Sequence, residues 1–316
     1  MSSVLAVDLG GTKICSALVN LKGEVIKQDT CLTMPDSGFE LVVDRILTSL
    51  KSVIPEGEQP AGIGIAVPAY IDQCTDRIVF SPNLQWHDVD LKKKLEDHLG
   101  IPVWLDNDAN LAALGEHRYG AGKGCNDLLY ITVSTGVGGG LILGGKVYRG
   151  AFRGAGEFGH MIIDRNGPLC SCKNRGCLEA LASGTAIKRD AQKLVNFGQG
   201  SRMFSLAGSV EKVDAGIVGQ AALGGDPEAQ AILSRAGRNL GIAIASVMNL
   251  LNPEMFIIGG GVAYGVGHLI LNPARDEAYK NTYPPYRKFL KIVPAGLSSD
   301  SGILGAAALA WDHLAV

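Results

Sequence analysis

The sequence lacks the features that mark several broad classes of protein. Its 316 residues include 29 Lys and Arg and 31 Asp and Glu, giving a formal net charge of −2, and no long run of like charges occurs. A broad surface for nucleic acids or anionic membranes is therefore not expected. No apolar run reaches membrane-spanning length without a glycine or a charge, and no basic N-terminal segment precedes a long apolar one. We expect a soluble, cytoplasmic protein with neither nucleic acid nor membrane as a partner.

Cysteine is also scarce, and its seven copies are an odd number, which makes a poor disulfide framework in a reducing compartment. Three of them, Cys170, Cys172 and Cys177, follow His160 in one glycine-rich stretch. Thiolates and imidazole suit a tetrahedral zinc ion, whereas the alternative is three free thiols beside an unrelated surface histidine. Four protein ligands leave no open coordination position. The pattern therefore predicts a structural zinc site, not a catalytic one.

The length exceeds that of one typical core, so we expect two domains. Apolar runs and helical periodicities alternate along the chain, which predicts an α/β fold. Strands are predicted at 4–9, 14–20, 61–68, 101–108 and 255–262, a hairpin at 128–143, and helices at 39–54, 91–99, 109–120, 227–253 and 301–314.

Glycine-rich turns recur at the ends of the predicted strands. "DLGGTK" (8–13) and "STGVGGG" (134–140) lie at the tips of two similar hairpins, which favours an internal duplication over two unrelated hairpins. Their backbone N–H groups, hydroxyls and lysine are groups that polyphosphate ligands need. Neither turn has the P-loop or dinucleotide-binding spacing. A third cluster, "IIGGGV" (257–262), follows another apolar run.

"DNDAN" (106–110) lies where a predicted strand meets a predicted helix. A carboxylate at such a strand end could act as a general base. An Asp or Asn there could equally be an ordinary helix N-cap. The five letters leave both interpretations open.

Taken together, these motifs resemble the ROK family (repressors, uncharacterised frames and kinases) of the actin and hexokinase superfamily. "AVDLGGTK" and "STGVGGG" resemble its two phosphate motifs, "IIGGGV" its adenosine motif, and "GEFGHMIIDRNGPLCSCKNRGCLEA" its signature with a zinc cluster. The likeness covers nearly the whole chain. It implies two ribonuclease-H-like domains that flank a deep cleft: 1–109 plus 301–316, and 110–300 with the zinc loop and most of the nucleotide site.

The resemblance also implies an activity, and "SPNLQW" (81–86) is most similar to the glucokinase branch. The implied enzyme is an ATP-dependent hexose kinase of glycolysis that phosphorylates the glucose 6-hydroxyl. Asp108 would be the general base, and ATP would bind with Mg²⁺ near Asp8. The family is often a homodimer or homotetramer.

The resemblance assigns roles to individual residues. His160 would bind zinc through one ring nitrogen and face a sugar hydroxyl with the other. The implied sugar ligands are Asn83, Asn107, Asp108, Glu157, His160 and Glu179. The implied nucleotide and Mg²⁺ residues are Asp8, Gly10, Gly11, Thr12, Lys13, Thr135, Gly136, Gly259 and Gly260. The implied zinc ligands are His160, Cys170, Cys172 and Cys177.

Two positions depart from the family pattern: Lys173 and Ala69 stand where glycine is common. Three alternatives also remain. A kinase of the same family could act on N-acetylmannosamine or fructose. A sugar-sensing repressor would place a winged helix-turn-helix before the first phosphate motif, which here begins at Asp8, and the retained Asp108 also argues against it. A sugar-binding protein without catalysis would leave the phosphate loops unexplained.

Overall fold

The computed structural model describes residues 2–72 and 74–314 of an α/β protein. The strands are β1 (Ser3–Leu9), β2 (Lys13–Asn20), β3 (Val25–Leu32), β4 (Ile63–Val67), β5 (Tyr70–Ile71), β6 (Ile78–Ser81), β7 (Trp86–Val89), β8 (Val103–Asn107), β9 (Leu128–Val133), β10 (Val137–Leu143), β11 (Lys146–Val147), β12 (Met255–Gly259) and β13 (Ile292–Pro294). The α-helices are α1 (Phe39–Val53), α2 (Leu91–Leu99), α3 (Asp108–Tyr119), α4 (Leu178–Ala182), α5 (Gly184–Asn196), α6 (Ser201–Ala207), α7 (Ala215–Leu223), α8 (Pro227–Leu251), α9 (Gly261–Val266), α10 (His268–Asn281) and α11 (Ser301–His313). Short 3₁₀ helices occupy Pro35–Ser37, Phe158–His160, Pro284–Phe289 and Ser298–Asp300.

The chain divides into two compact units. The first comprises residues 1–126, 140–156 and 299–316, and the second comprises 127–139 and 157–298. The division differs from the expected domains, because the expected boundary at residue 109 falls inside α3, which belongs entirely to the first unit. The close packing of α11 against α3 explains why: a Cβ at Gly305 would lie 1.7 Å from the carbonyl oxygen of Leu111.

The first unit is built on a sheet of strand order β3-β2-β1-β4-β8. Strands β1 to β3 run antiparallel, whereas β4 and β8 are parallel to β1. Every residue of β4 is buried, and a Cβ at Gly64 in this strand would lie 1.8 Å from the carbonyl oxygen of Ala306. The small residues of the last helix therefore bring its backbone close to the sheet. A smaller antiparallel sheet, β5-β6-β7, carries the 82–85 turn.

The sheet of the second unit repeats this order as β10-β9-β12-β13, with β9, β12 and β13 parallel. Strand β10 runs on into the first unit, where it pairs with β11. The two sheets therefore share one topology, as the paired hairpins predicted. Helices α8 and α10 of this unit pack against each other.

Two predicted elements are shorter than expected because the backbone turns sooner. Helix α8 ends at Leu251, since Asn252 adopts a left-handed conformation with φ of 49° ahead of Pro253. Strand β12 ends at Gly259, since Gly260 has φ of 93° and α9 begins at the next residue. Within the described residues, no helix is both long and apolar enough to cross a bilayer.

Candidate functional site

The three cysteines and the histidine of the glycine-rich stretch come together in the second unit. Their nearest donor atoms all lie within 4.8 Å of one another. Cys172 Sγ is 3.6 Å from Cys177 Sγ, and Cys170 Sγ is 3.7 Å from His160 Nδ1. Ligands placed tetrahedrally around zinc at ordinary bond lengths would be about 3.5–3.8 Å apart. The four residues therefore fit a structural zinc ion, with Nδ1 as the histidine donor.

Two thiols of the cluster have pKa values shifted in opposite directions. Burial, and next the neighbouring sulfur of Cys172, raise the pKa of the Cys177 thiol to about 12. By contrast, the backbone N–H of Asn174 lowers the pKa of Cys172. A buried thiol gives up its proton readily only when a positive charge stands beside the sulfur, and a bound zinc ion would provide that charge.

The turns that fold this loop depend on special backbone conformations. Gly176 has φ of 71°, and a Cβ there would lie 1.5 Å from the carbonyl oxygen of Asp164. Lys173 also has a positive φ, 75°, so this residue keeps the left-handed turn that glycine adopts more easily. Ala69, the other departure from the family pattern, is not among the residues with positive φ, so a side chain causes no such strain there.

Glu157 and Glu179 flank the cluster in different environments. Glu157 is largely exposed, and its Oε2 is 3.8 Å from His160 Nε2, the ring nitrogen that faces away from the cysteines. Glu179 Oε1 accepts a hydrogen bond from the Ser171 hydroxyl at 3.1 Å, and its Oε2 accepts one from the Val137 backbone N–H at 3.2 Å. Glu179 thus joins the cysteine loop to the second glycine turn.

The "DND" segment lies in the first unit, at the end of β8 and the start of α3. Asn107 is the N-cap of α3, and its Oδ1 accepts hydrogen bonds from the N–H groups of Ala109 and Asn110. Asp108 is the first helical residue, and its Oδ1 also accepts from Ala109 N–H. The N-cap interpretation therefore applies to Asn107, while Asp108 stands at the strand end, where a general base was expected.

Asp106 is held by an arginine that the sequence reasoning missed. Its side chain is only 8% exposed, and its Oδ2 lies 2.6 Å from both Nε and Nη2 of Arg149. Its Oδ1 accepts the N–H of Asn107 at 2.7 Å. Arg149 thereby fixes the backbone that carries the candidate base. The only sequence signal was an arginine within the glycine-rich segment "YRGAFRGAGEFGH".

The first glycine turn lies beside the same segment. Asp8 pairs with Ala66 in the register of β1 and β4, and Ala66 pairs with Asp106 in that of β4 and β8, so Asp8 and Asp108 lie at the same end of this sheet. Burial, and next the negative charge of Asp108, raise the pKa of the Asp8 carboxyl from its ordinary 3.8 to about 7. A Cβ at Gly11 would lie 3.2 Å from Cβ of Asn83, which places the 82–85 turn against this glycine turn. Thr12 and Lys13 at its tip are exposed. These predicted residues of the first unit are therefore brought together.

The second and third glycine turns adjoin a cavity of about 880 Å³ in the second unit. Thr135 lines it, and the Thr135 carbonyl accepts a hydrogen bond from the Thr185 hydroxyl at 2.9 Å. Gly259 and Gly260 precede Gly261, which also lines the cavity. A Cβ at Gly260 would lie 2.5 Å from the Val133 carbonyl oxygen, so this glycine is required by close strand packing as well.

The sequence reasoning missed most of the cavity wall, which comes from α5, α7 and α9. Polar residues recur on one face of α5 about one turn apart, a signal that was present in "SGTAIKRDAQ". Polar and apolar side chains both line the cavity, among them Thr185, Lys188, Arg189, Leu223, Val262 and Val266.

The sequence model of the ROK family matches residues 4–313. This chain belongs to the ROK family. It is 38% identical to a glucokinase from Thermotoga maritima over 98% of both chains. It is also 34% identical to a putative xylose repressor from Caldicellulosiruptor, covering 97% of this chain and 77% of that one.

A solved structure also matches the fold along nearly the whole chain. A ROK family glucokinase from Streptomyces griseus, crystallised with glucose and AMPPNP, superimposes with a TM-score of 0.86 at 36% identity, covering 98% of this chain and 99% of that one. The expected fold class, with its two ribonuclease-H-like sheets, is thereby confirmed. The family contains both kinases and repressors, so membership alone does not decide the activity.

Proposed function

We propose that this ROK protein is an ATP-dependent hexose kinase that phosphorylates the 6-hydroxyl of glucose. The observation that supports the proposal is the register of β1, β4 and β8, which brings Asp108 to the same edge of the sheet as Asp8 and the first glycine turn. The identity with the Thermotoga maritima glucokinase along the whole chain supports the same activity.

Phosphoryl transfer requires positioning and charge stabilisation more than covalent chemistry by the protein. Asp108 would accept the proton of the attacking hydroxyl, and Arg149 would hold its segment through Asp106. When bound, Mg²⁺ stabilises the charge that develops on the phosphates. Asp8 is the carboxylate placed to hold that ion through water. The proposed phosphate ligands are Gly10, Gly11, Thr12, Lys13, Thr135 and Gly136, and Gly259 and Gly260 would pass beneath the adenosine.

The sugar would be recognised by amides, carboxylates and one imidazole. Asn107 uses its Oδ1 in the helix cap, which leaves its NH₂ group for a sugar oxygen. Asn83 lies against the first glycine turn. His160 would face a hydroxyl with Nε2, since Nδ1 points to the cysteines. Glu157 and Glu179 would accept hydrogen bonds from ring hydroxyls.

Zinc would be held by His160, Cys170, Cys172 and Cys177 and would keep the cysteine loop folded. The ion takes no part in the transfer itself. Because the proposed reaction uses ATP, we place the enzyme in the cytoplasm, and we expect a homodimer or homotetramer.

A coupled assay with a panel of sugars and phosphoryl donors tests the proposal. Glucose with ATP should give the highest kcat/KM, ahead of fructose, N-acetylmannosamine and inorganic polyphosphate as donor. A preference for fructose or N-acetylmannosamine would keep the kinase but change its substrate. Sugar binding without transfer to any sugar would instead support a sugar-sensing function.

A further inference from the structure

The guanidinium of Arg189, on the α5 wall of the cavity, is held in a fixed plane. Its Nε and Nη2 donate to Asp190 Oδ1 at 2.9 and 2.7 Å, and its Nη1 donates to the Ala180 carbonyl oxygen at 2.9 Å. Asp190 is held in turn by Arg235 of α8, whose Nη2 donates to Oδ2 at 2.9 Å. Each nitrogen of the guanidinium therefore already donates a hydrogen bond within the protein.

An arginine bound in this way has fewer N–H groups left for a phosphate. Three of its five are engaged, since the Nε–Nη2 edge donates to Asp190 and Nη1 donates to Ala180. The two flat faces remain, and a guanidinium face stacks well on an aromatic ring. Arg189 lines the cavity together with the apolar side chains of Leu223, Val262 and Val266. A flat heterocycle would find both an apolar surface and a cationic plane there.

We propose that Arg189 is the base-stacking residue of the nucleotide cavity, with one face of its guanidinium lying on the purine ring. Asp190 and Arg235 are positioning residues that hold the plane. The inference rests on the proposed function, because it requires the cavity to bind a nucleotide. It goes further by separating recognition of the base from recognition of the phosphates.

The test measures binding by calorimetry with adenosine, ADP and UDP as probes, on the full chain without sugar. Arg189→Ala should weaken the binding of adenosine and of ADP by the same factor, about 5- to 10-fold, since both ligands carry the same base. Arg189→Lys should bind both ligands nearly as weakly as Arg189→Ala, because lysine keeps the charge but lacks the planar guanidinium. The ADP preference over UDP should also shrink, because a pyrimidine stacks over less area.

Two further variants serve as controls. Lys193→Ala removes an exposed cation from the same helix, outside the cavity lining, and should bind as the wild type does. Arg235→Met removes only the remote anchor and should weaken adenosine by about two- to threefold, in the range of a partly exposed ion pair. Circular dichroism establishes that each variant is folded. If Arg189→Ala does not fold, Arg189→Lys still tests the stacking role, because it removes the guanidinium plane with a smaller change.

The outcomes separate this inference from the proposed function. Wild-type affinity in Arg189→Lys, or a loss confined to ADP with adenosine unchanged, would overturn the stacking role while leaving a nucleotide site in place. A wild-type protein that binds neither adenosine nor ADP would overturn the nucleotide cavity, and the stacking role with it.

Discussion

Glu179 Oε2 accepts a hydrogen bond from the backbone N–H of Val137 at 3.2 Å. Gly159 lies against the same residue, since a Cβ there would be 2.0 Å from the Val137 carbonyl oxygen. The cysteine loop and its "GEFGH" turn therefore both touch the second glycine turn. A zinc ion in the cysteine loop would therefore hold more than the proposed sugar ligands. The contacts at Val137 imply that it supports the phosphate turn too.

Loss of a zinc ligand should consequently affect both substrates. Cys172→Ala should lose about one zinc per chain, weaken glucose binding strongly through displacement of the sugar ligands, and weaken ADP binding by a smaller factor. Metal analysis with calorimetric titrations of glucose and ADP checks this. Cys74→Ala, at an exposed cysteine outside the cluster, is the control and should keep both affinities. Full glucose affinity in folded, zinc-free Cys172→Ala would refute the bracing role.

Lys173 should carry measurable backbone strain. Its φ of 75° favours glycine, so Lys173→Gly should raise the free energy of unfolding by about 0.5–1 kcal/mol, after allowance for the greater freedom of glycine in the unfolded chain. Denaturant unfolding of the zinc-loaded protein measures the change. Lys173→Ala removes the same charge but keeps the Cβ, so it should not stabilise. Equal stabilisation by both variants would point to charge instead of strain.

Asp8 should make the stability of the free protein depend on pH. Its pKa is about 7 when folded and near 3.8 when unfolded, so the folded state holds the proton more tightly. Stability from this group is complete below pH 3.8 and is lost as pH rises towards and through 7. Asp8→Asn should therefore be more stable than the wild type at pH 8, with a difference that disappears near pH 4. Thermal unfolding without Mg²⁺ across this range would show it, and a difference independent of pH would contradict it.

Arg149 should matter for activity more than Arg153 on the same loop. Arg149→Met leaves the buried Asp106 without its cation, which should lower the free energy of unfolding by about 1–3 kcal/mol and reduce kcat more than it raises the KM for ATP. Arg153→Met breaks a pair with the partly exposed Asp76, which keeps its contact with Lys92, and should change little. Steady-state kinetics and denaturant unfolding compare the two. Equal losses of kcat and of stability in the two variants would mean that the effect comes from a general disturbance of the loop and not from the contact with Asp106.

The sequence predicted those parts of the site that local patterns encode. The tips of the hairpins at Asp8 and Thr135 and the Asn252-Pro253 helix stop each lie within a few neighbouring residues, and the four residues of the zinc cluster lie in one short stretch between His160 and Cys177. The partnership of Arg149 with Asp106 spans 43 positions and has no periodic signature. The α5 wall was missed for a related reason: a polar helix face looks the same whether it meets solvent or a ligand cavity.

The most direct test of the account is the turnover of Asp108→Asn with glucose and ATP. The variant should fold, keep most of its glucose affinity and retain zinc, because the replacement preserves the shape of the side chain at the start of α3. Its kcat should fall by at least ~100-fold, the lower range for the loss of a positioned general base. Turnover near that of the wild type would contradict the assignment of Asp108 and the mechanism built on it.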